Sequence, residues 1–533
     1  MLKFSRFSCA HRLIHAMSLA VLSVLFIPSQ PAIGAAATHH HYMLVDIGTF
    51  PGVSIYNRPV TTNGSSPTEY ERVLSNRGTL VGGADTPIEN QNNCYNPFNQ
   101  PIDCYLQHAF VWQNGTLTDL GTLPTGSNSF AYFISDNGLI TGGSDLSATD
   151  PVSGEPETHA VLWSNGHIND LGTLGGTQSL GVAVNNAGQV TGFAQNATPD
   201  PFSIDGLGTQ TRAFLWQNGF MQDLNTLGGP DAFAQYVNNH GQVAGVSYTS
   251  YTPDPNTGLP PLHPFLWQNG AMKDLGNFGG TNDFLGPFIY GLNNRGEVTG
   301  NMALPGDQTA HAFLWDGEKL IDLNAGGGLG GTFSQPSTLN DAGEVVGYAT
   351  LPGDQTQHAF LWKNGVMTDL GTLHGDPCSE ADSINSSGQI VGASQSARGG
   401  CVPFTTAFLW ENDGPMVDLN TLLSSPSTML LTGAFWIDDA GEITGRGVPA
   451  GCGDVDMCGH AFLLIPCDTN HLNIAGCNYS LVDAATAAAL SQQPVAADPA
   501  AASQNELSSD NTMTLVQSLM KKHRRWPVRA QSP

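Results

Sequence analysis

Positive charge is scarce in this chain: 18 Lys and Arg stand against 45 Asp and Glu in 533 residues, a formal net charge of −27. A surface of that sign repels phosphate backbones and anionic headgroups, which excludes nucleic acid and acidic membranes as partners. Charged residues of both signs make up only 12%, too few for long solvated helices or a disordered polyelectrolyte. No run of about 18 apolar residues follows position 37, so no membrane insertion is expected there. No two cysteines stand as CxxC, and there is no Ser-His-Asp order, GxSxG elbow, phosphate-cradling glycine loop or HExxH pair. No cofactor and no metal site is therefore expected, and no catalytic residue can be named.

What is present begins with an export signal. Lys3, Arg6 and Arg12 precede an apolar run from Met17 to Ile27, and Ala35, Ala36 and Ala37 follow, which reads as a secretory signal over residues 1–37. That stretch holds three of the 18 basic residues and no acidic one, so the remainder carries −30. The expected location is secreted or periplasmic. Eight cysteines remain, as the close neighbours Cys94 and Cys104, Cys378 and Cys401, Cys452 and Cys458, and Cys467 and Cys477. An even count in an exported chain favours disulfides, and neighbour pairing is the simplest connectivity. A chain cut after Ala36 would begin Ala37-Thr38-His39, able to chelate copper or nickel through its amine and histidine; a cut at Ala35 or Ala37 abolishes that geometry.

Between these ends the chain repeats itself. A unit runs HAFLW, a turn with Asn-Gly, DLGTL, a middle segment, and NxxGxVxG. Its first position falls at His108, His159, Arg212, His263, His311, His358, Thr406 and His460. Its aspartate falls at Asp46, Asp119, Asp170, Asp223, Asp274, Asp322, Asp369 and Asp418, and its closing glycine at Gly82, Gly142, Gly192, Gly245, Gly300, Gly347, Gly392 and Gly445. Each piece alternates β-branched and aromatic residues over a few positions, as short strands do. The Asn-Gly pairs at 114, 165, 218, 269 and 364 suit two-residue hairpins. The four segments of a unit are read as one four-stranded antiparallel sheet, with the glycines on a channel-lining strand. The expected fold is all-β, an eight-bladed β-propeller over residues 42–466, because sheets of this size bury their faces only by stacking on neighbours. The eighth blade is expected to join segments two to four from Tyr42–Gly83 to segment one from His460–Ile465. Residues 467–533 are read as a mostly flexible C-terminal extension, Ala- and Ser-rich with a basic cluster at Lys521–Arg529.

The HAFLW, DLGTL and NxxGxVxG run resembles the HAF repeat family of extracellular bacterial proteins over residues 42–466. The resemblance implies an exported, propeller-like repeat protein and brings no catalytic residues.

The repeated His, Asp and Trp are assigned to the scaffold, since equal positions in eight blades do not converge on one site. The connections between the fourth segment and the next HAF differ most in length and share one side, where insertions make binding surfaces. Their aromatic residues Tyr95, Phe98, Tyr105, Phe202, Tyr248 and Tyr251 are the candidate ligand-binding residues, with Asp150, Asp200, Asp254, Asp454 and Asp456 beside them. The expected function is a monomeric, non-catalytic binding or scaffold protein for a glycan or an extracellular protein. The alternative is a propeller polysaccharide hydrolase or lyase, with acidic residues from separate blades meeting near the axis.

Overall fold

A computed structural model of the chain describes residues 39–477 apart from 49, 51–71, 90–104, 153, 155, 205, 207, 256, 282–286, 396–400, 402–405 and 453–458. The described residues are all-β except for a single-turn 3-10 helix at Leu419–Leu422. The Asn-Gly hairpins form as the sequence requires: Asn114 and Gly115 take φ of 50° and 80°, and the pairs at 165, 218, 269 and 364 follow.

Most sheets are four-stranded and antiparallel, one described sheet has three strands, and two are joined into eight strands by a short parallel pair between Pro156–Ser164 and Gly175–Val184; all are out of phase with the sequence unit. Ser129–Ile134, the middle segment of one unit, pairs with Ile140–Thr149, its glycine-bearing segment. That strand then pairs with Pro156–Ser164, the HAF segment of the next unit, and His167–Gly172 completes the sheet. Each sheet thus straddles two units, because the connection from the glycine segment to the next HAF is itself a hairpin. The phase shift corrects the expected composite blade. Among the described residues only Tyr42–Asp46 crosses from the N-terminal end, pairing with His460–Pro466 on a sheet completed by Ile443–Pro449 and Met429–Ile437. Leu80–Glu89, within and just beyond the segment assigned to that composite, instead starts the sheet of Tyr105–Gln113 and Thr116–Asp119.

The recurring glycines answer to a bulge and not to a channel. The strand beside each slips register at the glycine, as between Ala234 and Tyr236 opposite Gly245. A Cβ on Gly142, Gly192, Gly245, Gly300, Gly347, Gly392 or Gly445 would fall inside a backbone carbonyl oxygen of that bulged strand. The glycine strand lies second in the sheet, and the bulged strand is at its edge.

The HAF phenylalanines Phe110, Phe214, Phe265, Phe313, Phe360, Phe408 and Phe462 are fully buried. The tryptophans at the end of that strand pack between sheets: Trp163 belongs to the cluster of Val81, Phe110 and Trp112, and its indole N–H donates to the Leu120 carbonyl of the preceding sheet at 3.1 Å. The repeat histidine and aspartate meet across neighbouring strands. Nδ1 of His108, His159, His263, His311, His358 and His460 lies 2.9–3.0 Å from the carboxylate of Asp119, Asp170, Asp274, Asp322, Asp369 and Asp46. Arg212 makes the same pair with Asp223. The aspartate also accepts the N–H two residues on, as from Gly172 at 2.8 Å, so it fastens both the strand pair and the turn leaving it. The pair His460–Asp46 joins residues 414 apart.

Cys378–Cys401 and Cys467–Cys477 are disulfides, and Cys452 is disulfide-bonded. Cys94, Cys104 and Cys458 lie outside the described residues. Among those residues no helix is long and apolar enough to cross a membrane.

Candidate functional site

In an antiparallel sheet of this order the NxxG turns and the Asn-Gly turns leave one end, and the variable connections leave the other. The expected ligand residues belong to the variable end. Tyr95 and Phe98 lie outside the described residues. Tyr105 opens a strand, half-buried, opposite Glu89. Phe202 is half-buried in a turn whose N–H donates to Asp200. Tyr251 is 59% exposed, and its hydroxyl accepts from Gln210 at 3.4 Å. Tyr248 corrects the expectation: it is 1% exposed and packs with Phe233, Leu262 and Met302, because every side chain of Val243–Tyr248 is covered by neighbouring strands. Asp150 and Asp254 cap their own loops by accepting from Val152 and Thr257; Asp454 and Asp456 lie outside the described residues.

A concave site is at the opposite end. The first residue of the NxxG turn accepts two backbone N–H groups through its side-chain oxygen, as Asn185 does from Ala187 and Gln189 at 3.0 Å, an Asx turn. Its amide N–H then reaches out of the sheet. Asn185, Asn238, Asn293, Asn340 and Asn385 donate to the carbonyls of Asn238, Asn293, Asn340, Asn385 and Asp438 at 2.8–3.1 Å.

The second turn residue makes an outer ring. Backbone N–H groups of Asn76, Asp136, Asn186, Asn239 and Asn294 donate to the side chains of Asp136, Asn186, Asn239, Asn294 and Asp341. Ser386 donates to Asp439, and Asp439 back to Asn76 at 3.1 Å. A turn explains the first polar residue and the glycine of this motif; the second polar residue, as in Asn185-Asn186, Asn238-Asn239 and Asn293-Asn294, exceeds what a turn needs and is the signal that marks the site.

These turns surround a well of about 260 Å³. Its rim is amide, hydroxyl and carboxyl, and its wall includes Phe133, Tyr236, Leu339 and Trp436. Carboxyl groups reach it from different sheets at Asp136, Asp341, Asp438 and Asp439. Asp136 is part-buried, which opposes ionisation, yet the Arg72 guanidinium and the Asn76 N–H hold it below the usual carboxylate range. Asp438 behaves in the opposite way. Burial pushes it up to about 6, and burial and its hydrogen bond with Asp438 push Glu442 up to about 8. An ionised carboxylate, Asp136, and a carboxyl raised by burial, Asp438, therefore line the same well, a division suited to acid–base chemistry. Glu380 is pushed up to about 7 by burial on the strand whose Ile384 and Asn385 line the well. On the N-terminal side, Nδ1 of His39 lies 2.7 Å from Glu411 and is buried. The nitrogen that a square-planar chelate would use is engaged there.

These acids fix a pH profile. Burial opposes ionisation of Asp46, Asp119, Asp170 and Asp369, but their histidine and backbone donors hold them below the ordinary value. Stability from them is present above the ordinary carboxylate pKa of about 4 and lost as pH falls below it. Asp438, Glu380 and Glu442, raised to about 6, 7 and 8, bind protons more tightly when folded, so stability falls as pH rises through that range. Thermal melts across pH 3–9 are expected to peak near pH 5, at roughly the crossing of these two trends; a plateau rising to pH 9 would contradict the assignment.

No family model matches the sequence, and no curated protein matches it. Similar solved structures include the β-propeller domain of the Trilobed protease from Pyrococcus furiosus, at 10% identity and a TM-score of 0.34, covering 72% of this chain and 97% of that one. Another is Pyrococcus horikoshii acylaminoacyl peptidase, at 12% identity and a TM-score of 0.33, covering 73% of this chain. The match spans 60% of that peptidase's length. The expected non-catalytic binding or scaffold role is corrected here, because a concave, carboxyl-bearing site lies away from the loops on which that expectation rested. The likeness describes a fold and carries no substrate.

Proposed function

We propose that this chain is an exported propeller hydrolase that takes neutral polysaccharide into the well at the NxxG end. On this reading the sheets are the blades of a closed eight-bladed ring of the HAF repeat type, residues 1–37 are its export signal and 467–533 an appended tail. The observation that carries the proposal is Asp438, a carboxyl raised by burial with Glu442 beside it, lining a well that also holds the ionised Asp136. Asp438 gives its proton to the glycosidic oxygen as the C–O bond breaks, and a carboxylate of another sheet takes the proton of the water that bonds to the anomeric carbon. Aromatic side chains at Tyr236 and Trp436 suit the apolar faces of sugar rings, and the amide rim suits their hydroxyls. The net charge of −27 turns acidic polysaccharides away and leaves neutral ones. Incubation with neutral β-glucans, xylans and mannans is expected to release new reducing ends, with the rate unchanged in Tyr251→Ala. Absence of product from all of them, with the folded protein verified, would remove the proposal.

A further inference from the structure

Five of the joints between turns are clasped by a permanent donor. Asn185, Asn238, Asn293, Asn340 and Asn385 each give an amide N–H both to the next turn's carbonyl and to the residue four positions on. Those latter acceptors are Gln189, Gln242, Glu297, Glu344 and Gln389, at 2.5–2.8 Å.

The series changes at the joint where the last repeat meets the first. Asp438 stands where the others have Asn, and Glu442 stands four positions on. Asp438 Oδ1 keeps its two backbone donors, Ala440 at 2.9 Å and Glu442 at 2.8 Å. Its Oδ2 stands on the side where the Asn amide nitrogen lies in the other turns and is buried with no permanent donor, its side-chain neighbour being the Glu442 carboxyl, and Asp438 is only 2% exposed. Glu442, 8% exposed, packs against the first sheet, where its Oε2 lies 2.6 Å from the position a Cβ on Gly78 would take. Two carboxyl groups thus sit where every complete clasp has an amide donor. Without a proton between them neither has anything to give.

We infer that the seam between the first and last sheets is a proton-held clasp, closed while Asp438 and Glu442 share a proton and loosened when both are ionised. The inference concerns the seam alone and does not rest on the hydrolase reading. Burial raises both acids, which places the change between neutral and mildly alkaline pH. The other charged groups at the seam have fixed parts in it. Asp439 bridges to Asn76 through two hydrogen bonds, and its negative charge disfavours ionisation of Asp438. Nε2 of His471 lies 3.9 Å from Glu442, while its Nδ1 is tied to Asp468 at 2.8 Å. The buried Tyr42 hydroxyl lies in the field of Asp438, Asp468 and Glu411 and stays protonated. Arg77 is exposed beside Gly78.

Hydrogen exchange read by mass spectrometry, corrected for the intrinsic pH effect, tests the clasp on the whole chain. Peptides spanning 74–82 and 437–445 are expected to lose at least tenfold protection between pH 6 and pH 9, while those spanning 237–243 and 292–298 keep theirs. The double variant Asp438→Asn with Glu442→Gln restores the Asn–Gln clasp found at Asn185, Asn238 and Asn385, so it is expected to fold. Its seam protection should be equal at the two pH values. Unchanged protection in the wild type would overturn the inference. So would an equal loss at all joints, or the same loss in the double variant, which would move the effect to His471.

Discussion

Replacing Asp438 by Asn is expected to lower polysaccharide cleavage by about 100-fold or more while leaving the melting temperature at pH 6 within a few degrees of wild type. The first half follows from chemistry: an amide offers no transferable proton, and general acid catalysis contributes about 10²–10⁴-fold. The second half follows from the repeat. Asn is the residue at the same turn position in Asn185, Asn238, Asn293, Asn340 and Asn385, where it makes every bond that Asp438 Oδ1 makes and adds a donor. Asp438→Asn therefore removes the acid and improves the clasp. A rate that survives the substitution would place the chemistry elsewhere, and a collapse of the fold would show that the turn does not tolerate what its five counterparts contain. Reducing-end assays and thermal melts on the same preparation separate these outcomes.

Gly245→Ala is expected to cost about 4 kcal/mol or more, the range reserved for backbone conflicts and large packing failures. The added methyl would meet the Phe233 carbonyl oxygen and the Ala234 Cα, both backbone atoms of the bulged strand. Neither can rotate away, so the bulge must straighten or the strand pair separate. Gly83→Ala is the control. Its methyl would meet only the Gln107 side chain, at 3.1 Å, which can turn aside, and a loss of roughly 1 kcal/mol or less is expected. Urea titrations give both values from the shift in midpoint.

The strands were legible because alternation and the Asn-Gly turns mark them locally, and the buried Phe and Trp positions follow from the same alternation. The histidine–aspartate pair was legible in role: recurrence in separate sheets points to a strand fastener, and the 2.9–3.0 Å pairs are that. The phase of the sheets was not. A tandem unit can be cut anywhere without changing its period, so the sequence carries no mark of which four consecutive segments share a sheet. The expected ring-closing blade consequently took Tyr42–Gly83 from the N-terminal side, when the pairing takes only Tyr42–Asp46. Tyr248 was misplaced for a related reason. It ends a strand, and its burial depends on sheets on either side that no local pattern reports. The well was missed because it is made of turn residues that look sufficient as turns; their second job appears only when separate sheets bring them to one rim.

The central claim is that ligand enters at the NxxG end and not at the variable loops. Hydroxyl-radical footprinting with and without neutral β-linked oligosaccharides tests it directly, because each end carries its own oxidisable aromatic residues. Saturating oligosaccharide is expected to protect Trp436 and Tyr236 while leaving Tyr251 and Phe202 at their free rates. Protection of Tyr251 or Phe202 with Trp436 unchanged would contradict the account.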